Sequence, residues 1–519
     1  MVLPAWTNHQ PDWEGEVLPT LWMQGDFKTG NAAYNGVTVT SAQSHFSLTN
    51  VIWSLPDLVA TRPEGNLELA HTSDDRNHIF YFRVHSAIDP KAVRLLLANA
   101  DARAGMDDFV FTEPPKVDAE IWGRWHDNNS VGFKGHTSLT NFTFRGESAS
   151  RFIGDFQYTN QFMVLRDGRI ERGPRYMTAS ALGVDFPGQK LYLTNGFSTM
   201  EPTPVAHAIG RKVTKIIEPY QFLQPPAVHA HGTIPLVDEV PADLHFQIDG
   251  GPFHWMKFNL DHVAGEVNWV GDHMTVTNAQ ASFYKGTLTG SAAFDFNVDP
   301  GTDISFDSAV TNADLHALMM DLGAVTNRLE GMLSGHLNIT HANSDDWRSW
   351  FGNGDVNLRD GLIWDIPIFG RFSPVLDKLG RGLGESRASE GAGKFIITNS
   401  IIHSDTLAIR SPTLHLLYRG NVDFDGKVDA TMEAEVLHDT PLVGSIISTL
   451  FLPFSKLFES KVTGTLDDPK IAPRFLLVKT LFAPFHPFRT FDEIFTGPAN
   501  TNALPPYQAP LLNTPALPP

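Results

Sequence analysis

Between Val428 and Val436 apolar and polar residues take turns without a break: Val428-Asp-Ala430-Thr-Met432-Glu-Ala434-Glu-Val436. Successive side chains of an extended chain point to opposite faces, so this run describes a strand with one dry and one wet face. The period recurs. Met256, Phe258 and Leu260 alternate with Lys257 and Asn259, and Leu288, Gly290, Ala292, Phe294, Phe296 and Val298 share a phase that ends at Asp299-Pro300-Gly301. Strand-like sequence begins at Leu21-Trp22-Met23 and resumes at Val37-Thr-Val39. Turn signals at Asp249-Gly250-Gly251, Arg359-Asp360-Gly361 and Asp425-Gly426 separate the runs. The 42 Gly, 35 Pro and 36 Phe favour strands joined by tight turns over helical bundles.

The runs are organised by an internal repeat. Phe111-Thr-Glu-Pro114-Pro115-Lys-Val117-Asp-Ala119 is echoed, at an offset of 111, by Phe222-Leu-Gln-Pro225-Pro226-Ala-Val228-His-Ala230. At the same offset Phe142 matches Phe253, Gly154-Asp-Phe156-Gln-Tyr158 matches Gly265-Glu-Val267-Asn-Trp269, and Met163 matches Met274. Asp89-Pro90 is answered by Glu201-Pro202 at an offset of 112. A fainter copy lies earlier, where Phe46, Leu55 and Asp57 precede Phe156, Leu165 and Asp167 by 110.

A two-stranded piece cannot bury its oily face alone, so successive units are expected to extend one sheet. At about 13 residues per strand and turn, about 30 strands spaced ~4.8 Å apart give a ribbon on the order of 140 Å. Such a ribbon twists and curls. The expected fold is therefore mainly β: an elongated, twisted, curled antiparallel sheet, a repeating β-groove, with a few short α-helices. Those helices are expected at Asp89–Asn99, Pro204–Ile217, Ala313–Leu322, Phe372–Leu379 and Leu442–Phe458.

A net charge of −19 without a basic stripe disfavours nucleic acid as a partner. It does not disfavour lipid, whose acyl chains are held by apolar burial. The absence of cysteine removes disulfides, thiolate metal sites and Cys nucleophiles. Residues 1–20 show no signal-peptide pattern, and Pro441–Phe458 is too interrupted by polar residues and proline for a good membrane span.

The polar motifs carry little chemistry. Asn421-Val-Asp423-Phe-Asp425-Gly426 imitates the start of a calcium loop, but its twelfth position is Met432 and Glu433 comes one late. A hairpin turn suits it better. Gly380-Arg-Gly382-Leu-Gly384 lacks the strand-to-helix setting of a phosphate loop, and His229-Ala-His231 has no third ligand at useful spacing. No catalytic motif appears. Neither an enzyme activity, a metal nor a cofactor is expected.

What remains is the oily strand face. Acyl chains are expected to lie against Met256, Phe258, Leu260, Val267, Trp269, Leu414, Leu416, Tyr418, Val428, Ala430 and Met432, with head groups left in water. Each buried methylene contributes ~0.8 kcal/mol, enough for retention without a head-group pocket. A closed sandwich, in which these residues fill one another, is the alternative. The apolar stretch Leu442–Phe458 is read as a helix packed over the end of the sheet, or as one that plugs the groove or touches a membrane. The stretch Phe475–Phe488 carries the same two readings.

Gly352-Asn353-Gly354-Asp-Val-Asn-Leu358-Arg-Asp-Gly361, then Lys394-Phe-Ile-Ile-Thr-Asn-Ser-Ile-Ile, Thr413-Leu-His-Leu-Leu-Tyr-Arg-Gly420-Asn-Val-Asp423, and Val462-Thr-Gly464-Thr-Leu-Asp467-Asp-Pro469 follow in order. In that order they resemble the C-terminal region of the AsmA-like family, with Leu358 standing where the family's opening pattern has Ile. The likeness covers residues 240–475 directly and 20–240 by way of the repeat.

The resemblance implies a periplasmic protein, anchored in the inner membrane through a segment not visible in this chain. It further implies a repeating β-groove that contributes to phospholipid transport between membranes or to outer-membrane biogenesis. Expected partners are phospholipid or another acyl lipid, the inner and outer membranes, and envelope proteins. The alternatives are a structural or assembly factor of the outer envelope with a self-filled β core, and a polysaccharide-interacting β-solenoid. The organisation that follows is an N-terminal segment at 1–20, which leaves open whether sequence precedes it. Repeated β units of period about 111 then occupy 21–280, an AsmA-like C-terminal β region 281–480, and a Pro-rich disordered tail 481–519.

Overall fold

The protein is described by a computed structural model covering residues 12–34, 36–96, 100–210, 214, 220–236, 241–255, 258–321, 330–361, 388–411, 414–436, 456–465 and 468–473. It is mainly β, with 73% strand and 9% helix, which places it in the class expected. The strands pair antiparallel, so the parallel coils of a β-solenoid are not formed among the described residues. The chain divides into two compact units, Met1–Gly251 with Glu266–Gly271, and Pro252–Gly265 with Asp272–Pro519.

The first unit is a meander. Trp22–Tyr34 pairs with Val37–Thr49, which pairs with Ile52–Arg62, then Gly65–Asp74, Ile79–Ser86 and Lys116–Arg124. The sheet continues through Asp127–Phe144, Glu147–Thr159, Phe162–Arg172, Arg175–Asp185, Lys190–Ser198, Ala227–Pro235 and Asp243–Gly250. Short connections make neighbours in sequence neighbours in space. In the second unit the run from His273–Phe283 to Pro469–Pro473 is built the same way. The sheet does not close into a barrel.

The repeat is visible strand by strand. Val37–Thr49, Glu147–Thr159 and Phe258–Val270 each have 13 residues, and their starting positions are offset by 110 and then by 111. The strands that follow them, Ile52–Arg62, Phe162–Arg172 and His273–Phe283, each have 11. Two-residue breaks separate the members of each pair, at Asn50-Val51, Asn160-Gln161 and Gly271-Asp272. In the first two breaks both residues have positive φ, 51° and 63°, then 52° and 60°. That is the type I′ turn, whose twist matches the twist of the strands it joins. Asn399-Ser400, at 50° and 64°, makes the same turn in the second unit.

The described helices fall at or beside the expected places. Pro90–Leu96 is a 3-10 helix within the expected Asp89–Asn99, followed by an α-helix at Ala100–Asp107. Pro202–Ile209 starts two residues before the expected Pro204 and is ended by Gly210, and Leu315–Asp321 falls inside the expected Ala313–Leu322. Phe372–Leu379 lies outside the described residues. Of Leu442–Phe458 only the last three residues are described, and they open the strand Lys456–Thr465 instead of ending a helix. The Pro-rich tail and Phe475–Phe488 are also outside the described residues.

Asp425-Gly426 forms the hairpin turn. Gly426 donates its backbone N–H to the Asp423 carbonyl at 2.9 Å, and the Asp423 carboxylate accepts from Lys427 N–H at 2.7 Å.

Candidate functional site

Register decides which side chains share a face. In the first unit Leu69 stands opposite Val84, Val84 opposite Ala119, Ala119 opposite Gly135 and Gly135 opposite Phe156. From Phe156 the row passes to Leu165, Leu182 and Leu193. A second row beside it carries His71, Phe82, Ile121, Phe133 and Tyr158. All the side chains of these two rows are half-buried, neither packed away nor fully wet. Each strand step is about 4.8 Å, so the first row follows roughly 35 Å of sheet.

The floor of this face is aromatic over glycine. A Cβ at Gly25 would meet Phe46, and one at Gly135 would meet Phe156. Gly25 and Phe46 pair across strands as Gly135 and Phe156 do, at the repeat offset of 110, so the device belongs to the repeat. The rings lie down over the glycines instead of standing up from the sheet, which leaves a shallow, smooth apolar surface. His71 stacks on Phe82 with centroids 4.1 Å apart, and burial pulls its imidazole below the ordinary value, keeping the row neutral.

At one end of the strands the face is closed. Leu139, Phe142 and Ala149 are buried with Phe109, Phe111 and Phe152 around them, because the short strand Phe109–Phe111 pairs onto the end of Asp127–Phe144. The helix Pro202–Ile209 docks at the neighbouring turn. The Arg145 guanidinium donates to the carbonyls of Ala208 and Ile209, each at 3.1 Å, satisfying the helix's last acceptors. In the second unit the helix Leu315–Asp321 is tied down by Tyr284, whose hydroxyl donates to Asp321 Oδ2 at 2.7 Å. Burial, aided by that carboxylate, pushes the Tyr284 phenol up to about 12.

The opposite face is polar, with acids and histidines facing one another across strands. Glu68, His85, Asp118, His136, Asp155 and Arg166 form a cross-strand row of alternating charge type. His85 bonds Asp118, His136 Nδ1 lies 2.7 Å from Asp155, and Lys134 Nζ lies 3.2 Å from Glu120. Further along, His45 binds Asp57 and sits 3.2 Å from Asp26, and the hydrogen bond to Asp57 raises its imidazole above 6.5 while lowering the Asp57 carboxyl.

The expected groove residues separate into two environments. Phe258, Val267 and Trp269 are half-buried, and Trp269 donates its indole N–H to the Gly271 carbonyl at 2.8 Å. Leu260 is buried, as are Leu416, Tyr418, Val428, Ala430 and Met432. These five come together across strands, with Tyr418 opposite Met432 and Val428 two residues before Ala430, and Val462 stands opposite Ala430. Burial drives the Tyr418 phenol upward. Met256 lies outside the described residues, and the side chain of Leu414, on the strand Leu414–Asp423, is not described.

The half-open rows through Phe156 and Leu165 were absent from the expected set. Their signal was the same alternation, for instance Phe156 and Tyr158 around Gln157, together with the repeat offset.

His229 and His231 lie against rings: Phe197 is 4.7 Å from His229, and His231 stacks on His245 at 4.9 Å. Among the described residues no three His, Asp or Glu gather as a metal site, and no helix is long and apolar enough to cross a membrane. No protein-family model, curated protein or solved structure matches the chain.

Proposed function

We propose that the chain is a lipid-binding groove protein that holds acyl chains along its half-open apolar face and carries them passively. The observation that carries the reading is the continuous cross-strand row through Leu69, Val84, Phe156, Leu165, Leu182 and Leu193, all half-buried. An apolar strip of this length has a standing cost in water, and each methylene laid on it removes ~0.8 kcal/mol. The strip carries no strong polar anchor, so occupants are held weakly and can slide. The resemblance of residues 352–473 to the AsmA-like family supports carriage in the periplasm, between membranes, in phospholipid transport or outer-membrane biogenesis.

The structural or assembly-factor reading is favoured by one observation of its own. Val428, Met432, Ala434 and Val462 are at most 1% exposed, as a self-filled core would be. The lipid reading therefore concerns the first unit, and the strands at Leu414–Thr465 serve as a closed, self-filled stretch.

Native mass spectrometry and solvent extraction of the folded full chain, purified from a Gram-negative host, test the proposal. Co-purified phospholipid that is reduced by Leu165→Asp supports it. Folded protein free of lipid, which also fails to take up a fluorescent phospholipid from vesicles, overturns it.

A further inference from the structure

On the polar face of the first unit a hollow of about 560 Å³ lies between Arg83, His85, Glu120, Lys134, Asp155 and Arg166. Volumes of this size are usual for small-ligand sites. Register orders the side chains. Arg83 stands opposite Glu120, Glu120 opposite Lys134 and Lys134 opposite Gln157, one polar side chain on each of four neighbouring strands. The carboxylates are engaged, Asp118 with His85, Asp155 with His136, and Glu120 with Lys134 at 3.2 Å. The Arg83 and Arg166 guanidiniums, on the two outermost strands of the hollow, have no hydrogen-bond or ion-pair partner among the described residues.

Beside the hollow, two residues on from Glu120, the half-buried Trp122 stands opposite Gly132. A Cβ at Gly132 would lie 2.6 Å from the indole Cε2, so the ring lies down over the neighbouring strand and turns its other side to solvent. The repeat does not require these residues. In the third copy Thr233 and Asp243 take the places of Trp122 and Gly132, at an offset of 111 and in the same register. Lys134 and Arg166 are answered there by His245 and Thr277, and in the first copy, at 110, by Gln24 and Pro56. Arg83 is answered by Asn195 at 112. The strands of the sister copies pair without the flat ring and without the cations, so both serve something other than the fold.

We infer that the hollow and the Trp122 ring bind an acidic oligosaccharide laid across the strands. A flat indole offers an apolar plane on which the C–H face of a sugar ring stacks. Arg83, Glu120 and Lys134 alternate as donor, acceptor and donor, and Gln157 is both, which suits a row of hydroxyls. Each strand step of about 4.8 Å is close to the length of one pyranose unit, so successive sugars meet successive strands. The two unpartnered guanidiniums select the acid, since each presents paired N–H donors to a carboxylate or a phosphate on the sugar. A nucleotide could stack on the same indole, but its single base and short phosphate do not match a row of polar groups that repeats strand by strand. The site lies on the face opposite the half-buried apolar rows, so this inference does not depend on the lipid reading.

Calorimetric titration of the full chain tests it, with tetragalacturonate, mannotetraose phosphate, neutral cellotetraose, inorganic phosphate and adenosine monophosphate as probes. One or both acidic sugars should bind at least tenfold more tightly than each of the other three, and which of them does so tells whether the acid is a carboxylate or a phosphate. Trp122→Thr should weaken that binding at least tenfold with the circular dichroism spectrum unchanged. Arg83→Asn with Arg166→Thr should bring the acidic sugar down to the affinity of cellotetraose. These substitutions take the residues of the third copy, where the same strands form, and the preference among probes is read on the unaltered chain besides. Failure of both acidic sugars to bind, equal binding of cellotetraose, phosphate or adenosine monophosphate, or undiminished binding in the folded variants each overturns the proposal.

Discussion

Phe156 lies over Gly135 on the neighbouring strand, so closely that a Cβ added at position 135 would come within 2.8 Å of the ring's Cζ. The ring takes the space that a side chain would occupy, and the glycine is what lets it lie flat. The Asp118 carbonyl oxygen, closer still to the same point, is backbone and cannot step aside. Gly135→Ala should therefore destabilise the fold by about 1–3 kcal/mol through overpacking. Urea unfolding measures it. Gly105→Ala, on Ala100–Asp107 with nothing within 4 Å, should be neutral or stabilise by about 0.5–1 kcal/mol.

The turn at Asn160-Gln161 offers a gain. Gln161 has φ 60° and is exposed, a backbone shape that costs a side-chain-bearing residue about 1 kcal/mol. Its amide contact to Asn129 is 3.3 Å long and solvent-exposed, so little is lost with it. Gln161→Gly should raise the thermal midpoint, which differential scanning calorimetry would record.

The buried strands should respond as a core. Met432 is 0% exposed, and Met432→Ala should cost about 2–5 kcal/mol in chemical denaturation. Leu165→Asp, on the half-buried row, should be milder for stability and stronger for lipid retention.

The His45–Asp57 contact fixes a pH dependence. The imidazole is raised above 6.5, so its contribution is complete below that value and is lost as pH climbs through the raised one. The Asp57 carboxyl is lowered below 3.8, so its contribution is present above that value and fades as pH falls through the lowered one. The pair thus supports the sheet between 3.8 and 6.5. An NMR titration of His45 should show the raised midpoint, and Asp57→Asn should bring it back down.

The strands and the repeat were legible because each is written locally. Alternation sets the face, an offset of 110 or 111 marks copies, and Asp425-Gly426 marks its hairpin. Arg359-Asp360-Gly361, expected as a turn, instead lies inside the strand Asp346–Gly361, paired on both sides. What alternation cannot say is what lies above the dry face. Val428-Asp-Ala430-Thr-Met432 and Gly154-Asp-Phe156-Gln-Tyr158 alternate alike, yet Met432 is sealed and Phe156 is half-open. That difference comes from neighbours distant in sequence. The pairing of Phe109–Phe111 with the end of Asp127–Phe144 was hidden for the same reason, since so short a strand holds too little pattern. Leu442–Phe458 misled at its end because an apolar run without alternation does not distinguish strand from helix.

The Asn50-Val51, Asn160-Gln161 and Asn399-Ser400 turns each set the alignment of their own hairpin, without reference to any other. A chain assembled from such self-registering pieces can lengthen or shorten by whole modules during evolution while every remaining side chain keeps its side. Adding a single amino acid inside a strand is a far harsher change than adding a whole module between two of them.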